Sequence, residues 1–226
     1  ASVVNDQYLK GAQEAGVDFD KLALTHNFYP HSETGLSLEY FQKKNKTFQK
    51  YHLTVQAFVC GDVLKRFPLY EGLPTVEKHR TMNPYVAAVE LIHDCGIKDI
   101  LIGDSEASIS TLKNIQAYMD RNIMHIPCHL EKEYEYLYDQ EIQVRKDLAE
   151  KIVRLTLPRT PDIPIFHNTI RQRGYIVMEN KLAGRYSGEV HIIKESLPFE
   201  ARTNVIGFIH PEYIDIIDYM DAQTTI

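Results

Sequence analysis

The sequence predicts an α/β unit followed by a β-rich unit, on three observations. Between residues 20 and 118, short apolar runs alternate with helical patterns. Each of those runs ends in polar residues: His26-Asn27, Gly61-Asp62 and Gly103-Asp104. From about Pro127 the texture changes to short strand-like runs separated by turn-rich pieces, with no helices between them. A chain of 226 residues suffices for one large domain or two small ones. The boundary falls between about 121 and 130, giving domains of 1–125 and 126–226.

The elements of the first unit follow from pattern and punctuation. Ala1-Ser-Val-Val4 reads as the end of a strand, and Asp6 to Ala15 as a helix. Lys21 to Thr25 is a short apolar strand. Ser37 to Lys50 is a helix, because Leu38, Phe41 and Phe48 share one face at helical spacing. Leu53 to Val59 is a second strand. Asn83-Pro84 is a cap followed by a proline in the first turn, so a helix runs from Pro84 to Gly96, which supplies the C-terminal stop. Asp99 to Ile102 is a third strand, and Leu112 to Tyr118 lie in a further helix.

Three strand–loop–helix units in tandem imply parallel strands joined by right-handed crossovers. Polar residues at each strand's C-terminal end, followed by long loops, match the catalytic face of a (β/α)8 TIM barrel. The return at Cys95-Gly96-Ile97-Lys98 is tight by comparison. Only three complete strands are visible where a closed barrel needs eight. The first unit is therefore expected to be the C-terminal half of a TIM barrel, its other half supplied by the rest of a longer chain.

In the second unit, Lys151–Leu157, Arg173–Met178, Gly188–Lys194 and Asn204–Ile209 read as strands of an antiparallel sandwich or barrel. Pro211 to Met220 reads as a closing helix with Tyr213, Ile216, Ile217 and Met220 on one side. The charged, aromatic stretch Glu131–Tyr138 reads as a crossing segment.

Composition narrows the function classes. The net charge of −6 argues against a nucleic-acid surface but not against a few arginines holding a small anion. Cys60, Cys95 and Cys128 are odd in number and irregularly spaced, as expected of thiols in a reducing compartment. The opening ASVVNDQYLK has neither a basic nor an apolar leader region, and no apolar run approaches bilayer length. A cytoplasmic protein without a membrane partner is expected. No glycine-rich nucleotide loop is present, and the histidines lack partners at metal-ligand spacing, so no cofactor or metal is expected.

Longer motifs carry a resemblance. Thr25-His-Asn-Phe-Tyr-Pro-His-Ser-Glu-Thr-Gly-Leu-Ser37 resembles the HNFYPRPETGLS hallmark of a bacterial family tied to 6-phospho-N-acetylmuramidase (MupG-like) activity. Gly72-Leu-Pro-Thr-Val-Glu-Lys-His-Arg80 is similar to its GLPTLEKHR, and Ile100-Leu-Ile-Gly-Asp104 to the end of its last barrel strand. Gly184-Arg-Tyr-Ser-Gly-Glu189 and Arg202-Thr-Asn-Val-Ile-Gly207 resemble its GRYSGE and RVNVVG. The resemblance implies a TIM barrel followed by a cyclophilin-like β-barrel. It also implies a glycoside hydrolase releasing N-acetylmuramic acid 6-phosphate from a peptidoglycan-derived disaccharide. His31-Ser32 departs from the family's Arg-Pro, which bears on how an anionic group is bound.

Glycoside hydrolysis usually needs two carboxyl groups. Asp104, at a strand end, ranks first, with capping of the next helix as its structural alternative. Glu33 in the hallmark loop is a second candidate acid, with hydrogen bonding to Thr34 and the loop backbone as its alternative, and Asp62 and Glu77 read as solvated loop charges. His26 and Asn27 suit orientation of sugar hydroxyls or proton transfer, with hydrogen bonding into the scaffold as the structural alternative for the histidine. Tyr29 and Thr34 of the same motif are further substrate-binding candidates. Arg80 is the candidate anion contact, with a surface basic cluster as its alternative. Arg171 and Arg185 are substrate-binding candidates of the second unit, where with Arg202 they would form an anion patch; pairing to Glu189 and Glu200 is the structural alternative. Two other functions stay open: a non-catalytic ligand- or partner-binding protein, or a barrel enzyme of another reaction on a phosphorylated carbohydrate. The oligomeric state is not legible in the residues.

Overall fold

Three parallel strands form one sheet: β1 (Ala23–Thr25), β2 (Thr54–Val59) and β3 (Asp99–Ile102), in the order β1-β2-β3. Registers run from Ala23 opposite Thr54 to Val59 opposite Ile102. The computed structural model describes residues 1–226, which divide into two compact units, Ala1–Met119 and Asp120–Ile226.

Local chemistry sets the helices of the first unit. In α1 (Asp6–Glu14), the Asn5 side chain accepts the Tyr8 N–H. In α2 (Leu38–Gln49), Ser37 accepts the Tyr40 N–H while Phe41 and Phe48 are fully buried. Asn83 caps α3 (Pro84–His93), which is buried along nearly its whole length. The last helix is α4 (Ile109–Arg121). Val55, Ala57 and Val59 alternate inward along β2. Residues 1–4 differ from the expected strand end: the Val4 N–H closes a turn onto the Ala1 carbonyl and leads straight to the cap of α1. The sheet is open at β1 and β3, so within this chain the parallel strands form no closed barrel.

The second unit holds an antiparallel five-stranded sheet in the order β4-β8-β6-β7-β5. Its strands are β4 (Cys128–Leu130), β5 (Ile152–Arg154), β6 (Tyr175–Glu179), β7 (Val190–Ile193) and β8 (Thr203–Ile209). A bulge interrupts the β6–β8 ladder between Ile176 and Val177. Strand β4 has no counterpart in the sequence reading, because three residues carry too little alternation to signal a strand. It exists through pairing with β8. The segment Pro211–Tyr219 is 3-10 rather than α-helical and buries Ile216, Ile217 and Tyr219. Residues Lys132–Leu137 are 3-10 as well.

Asn204, fully buried at the start of β8, organises an irregular segment. Its Oδ1 accepts from Phe166 N (3.1 Å), Asn180 Nδ2 (2.9 Å) and Asn168 Nδ2 (3.3 Å). Its Nδ2 donates to the Pro164 carbonyl at 2.7 Å. Phe166 N and the Pro164 carbonyl depend on this amide, while Asn168 and Asn180 also reach the carbonyls of Thr203 and Ala201, and a buried group without a partner is costly. Asn204→Ala is expected to destabilise the second unit by roughly 2–4 kcal/mol, read from urea denaturation. Amide exchange should rise first at Phe166.

Candidate active site

The residues delivered at the C-terminal ends of β1, β2 and β3 fall into three groups: a buried histidine, a clamp and a brace. His26, just past β1, is fully buried. Its ring packs against Phe41 at 4.6 Å between centroids. Nε2 lies 2.9 Å from Asn45 Oδ1, and Nδ1 lies 3.3 Å from Ser2 Oγ. Burial away from water pulls its pKa down to about 4. The ring thus ties the end of β1 to α2, as a neutral group.

The clamp is the stretch Gly72–Arg80. Thr75 Oγ1 donates to the Asn27 carbonyl at 3.0 Å and accepts the Phe58 N–H at 2.9 Å. Glu77 receives the N–H groups of Glu33 (2.8 Å) and Gly35 (2.7 Å), holding the hallmark loop by its backbone. Arg80 pairs with both oxygens of Glu77, at 2.6 and 2.7 Å. The same guanidinium donates to the carbonyls of Gly72, Tyr29 and His31. Lys78 and His79 both reach Glu90 of α3 at 2.6 Å. The ion pair with Arg80 draws the Glu77 carboxyl down to a pKa of about 2. Glu77 is therefore a loop anchor rather than the solvated charge expected of it, and Arg80 spends its donors on that frame instead of facing an anion. The Glu77–Arg80 spacing of three residues was the available signal.

The brace is Asp104, whose side chain has no exposed surface. Its Oδ2 accepts Gly61 N at 2.9 Å and Leu73 N at 3.3 Å, while Oδ1 accepts Arg66 N at 2.9 Å. Lys65 Nζ stands 3.7 Å away. One carboxylate thus gathers three points of the long loop after β2. Gly103 beside it must be glycine, because a Cβ there would collide with the Leu73 carbonyl. The capping expected of Asp104 is done elsewhere: Ser108 Oγ accepts the Thr111 N–H at the start of α4, and Asp62 holds that cap by accepting from Ser108 N, Ser108 Oγ and Thr111 Oγ1. Asp62 is accordingly not a free loop charge either.

What remains open to a ligand lies on the hallmark loop. Asn27, Glu33 and Thr34 are exposed and Tyr29 is half-buried. Glu33 sits at φ 69, held by its N–H on Glu77, and is an exposed residue. Thr34 Oγ1 donates to the His31 carbonyl at 2.6 Å. Ser32, in place of the family's proline, donates both N–H and Oγ–H to Glu71, at 2.8 and 2.7 Å.

Residues 1–117 match the N-terminal domain of 6-phospho-N-acetylmuramidase, and residues 124–226 match its C-terminal domain. The chain belongs to the 6-phospho-N-acetylmuramidase family. Two crystal structures are similar to it. One is a conserved Enterococcus faecalis protein of unknown function, 30% identical, with a TM-score of 0.86 over 99% of this chain and 63% of that one. The other is an uncharacterized B. cereus protein, 29% identical, with a TM-score of 0.80 over 98% of this chain and 67% of that one. The chain thus spans about two thirds of the length of each. No curated protein matches it.

In the second unit, Arg185 donates to the Tyr186 hydroxyl at 2.6 Å, and Arg202 is paired with Glu200. Arg171 donates through Nε to the Pro198 carbonyl at 3.1 Å. All three cysteines are free thiols, and burial pushes Cys95 up to about 12. No helix is long and apolar enough to cross a membrane.

Two outcomes follow for the first unit. A folded-state pKa of about 4 for His26, against 6.5 when unfolded, gives stability that is full above pH 6.5 and lost as pH falls toward 4. The loss amounts to roughly 3 kcal/mol, and His26→Gln should flatten that part of a melting-temperature profile. Asp104→Ala strands three N–H groups and should cost about 3 kcal/mol or more. Exchange of the Gly61, Arg66 and Leu73 amides should accelerate most.

Proposed function

We propose that the complete protein is a cytoplasmic glycoside hydrolase that releases N-acetylmuramic acid 6-phosphate from a peptidoglycan-derived disaccharide. In this reading the three parallel strands are the last part of a TIM barrel, and the second unit is its cyclophilin-like companion. The observation that carries the reading is family membership over both units. The clamped hallmark loop supports it, since it holds an exposed glutamate in the loop that follows a parallel strand's C-terminal end.

Roles follow from what each side chain has left to offer. Glu33, exposed on a loop fixed by Glu77, is the acid or base that meets the glycosidic oxygen or the attacking water. Its carboxyl partner is expected on strands outside this chain. Asn27, Tyr29 and Thr34 bind the sugar. Asp104 and His26 are positioning residues: the first gathers the loop after β2, and the second holds the end of β1. Arg80 acts with Glu77 to set the hallmark loop, so the phosphate meets other donors.

The test is to incubate the full-length protein with the 6-phosphorylated muramic-acid-containing disaccharide and measure release of the phosphosugar. Glu33→Gln should lower kcat by about 10²–10⁴ while leaving the fold intact. Asp104→Ala should lower activity together with stability. Binding of the disaccharide without turnover would point instead to a ligand-binding protein, and full activity in Glu33→Gln would remove that residue from the chemistry.

A further inference from the structure

The second unit carries a cavity of about 280 Å³ that the roles above leave unused. Its walls include Arg171, Glu179, Tyr186, His191, Arg202 and Thr203, all within that unit. The Gly184–Glu189 turn borders it, and most of that turn is occupied with holding itself in place. Gly188, at φ 86, lies so close to the Thr160 backbone that no side chain fits. Ser187 Oγ donates to the Thr160 carbonyl at 3.0 Å and accepts the Ile163 N–H at 3.2 Å. Glu189 is taken by Arg159, Arg154 and His191. Tyr186 lines the cavity with its hydroxyl taking an Arg185 donor and the Arg159 guanidinium over its ring.

Two groups on the walls have unspent capacity. Arg171 uses only Nε within the chain, on the Pro198 carbonyl, which leaves its terminal nitrogens to offer a paired set of donors. Glu179 accepts one hydrogen bond, from Thr203 Oγ1 at 3.2 Å, on Oε1. Its second oxygen accepts none. Its side chain is only 18% exposed, and burial raises its pKa. Arg202 and Glu200 complete the rim as a closed ion pair. A cationic fork and a half-desolvated carboxyl sharing one small cavity suit a molecule with an oxyanion and neighbouring hydroxyls.

We propose that this cavity is a separate binding site for a small acidic polyol of about one sugar ring, its carboxylate or phosphate held by Arg171 and its hydroxyls by Glu179. The site stands apart from the hydrolytic reading, since it needs no reaction and draws on no residue of the first unit. Its ligand is recognised by charge plus hydroxyls, so a neutral sugar lacks the main contact.

The experiment titrates the full chain with glucuronate, glucose 6-phosphate and glucose, following the Tyr186 and His191 resonances by NMR. Expected is saturable binding of at least one acidic sugar with shifts at both residues, and none with glucose. Whichever acid binds more tightly identifies the oxyanion as carboxylate or phosphate. Arg171→Gln should weaken that binding about tenfold or more, and Arg171→Lys less. Both variants are expected to fold, because Arg171 joins Leu197 through backbone bonds of 3.0 and 2.8 Å. Equal binding of glucose, unchanged affinity in Arg171→Gln, or shifts confined to the first unit would each overturn the proposal. Failed hydrolysis with binding retained here would overturn only the enzymatic reading.

Discussion

The geometry of the first unit depends on one carboxylate. Asp104 stands where β3 ends, on a rigid strand, yet its bonds reach sideways to Gly61, Arg66 and Leu73. Those three N–H groups belong to a loop too long to order itself, and backbone donors taken from water need an acceptor. A buried carboxylate is tolerable because each oxygen is met by donors and Lys65 stands close by. The arrangement converts a strand end into a template for the neighbouring loop. It also explains why Gly103 precedes Asp104: the loop passes close enough at Leu73 to exclude a Cβ.

The second unit solves a similar problem with a neutral group. Asn204 offers an acceptor and a donor from one amide, so it can hold the 164–168 segment without bringing a charge into the core. In both units the irregular backbone is organised by a polar side chain anchored on a strand. The apolar residues beneath, such as Phe41 and Phe48 or Ile192 and Ile206, supply burial but no address for the loops.

Much of this fold was legible in the sequence, wherever the signal is local. Asn83 caps the helix it precedes, and the three apolar runs of the first unit are its three parallel strands. Signals that depend on distant partners were not legible. Strand β4 is recognisable only beside β8, and the closing segment chose 3-10 geometry for burial of Ile216 and Ile217 rather than for any propensity. At the candidate site, residue type pointed to the right neighbourhood but not to the direction each side chain faces. His26 and Asp104 look like reactive groups in the sequence, yet their partners lie 19 to 43 residues away and enclose them. Glu77 looked idle because the two N–H groups it binds are 42 and 44 residues upstream.

The hallmark loop is held from outside itself, and this has a consequence for how the site changes over time. Its frame comes from Glu77, Arg80, Thr75 and Glu71, all contributed by a later stretch of chain. Side chains along the loop are therefore free to vary while the backbone path is kept. His31-Ser32 illustrates the freedom: a serine in place of proline adds an N–H and a hydroxyl, and Glu71 takes both. Such a loop behaves as an interchangeable cassette. Under the proposed function, replacing its contents would change the contacts to the sugar without redesigning the scaffold that carries it.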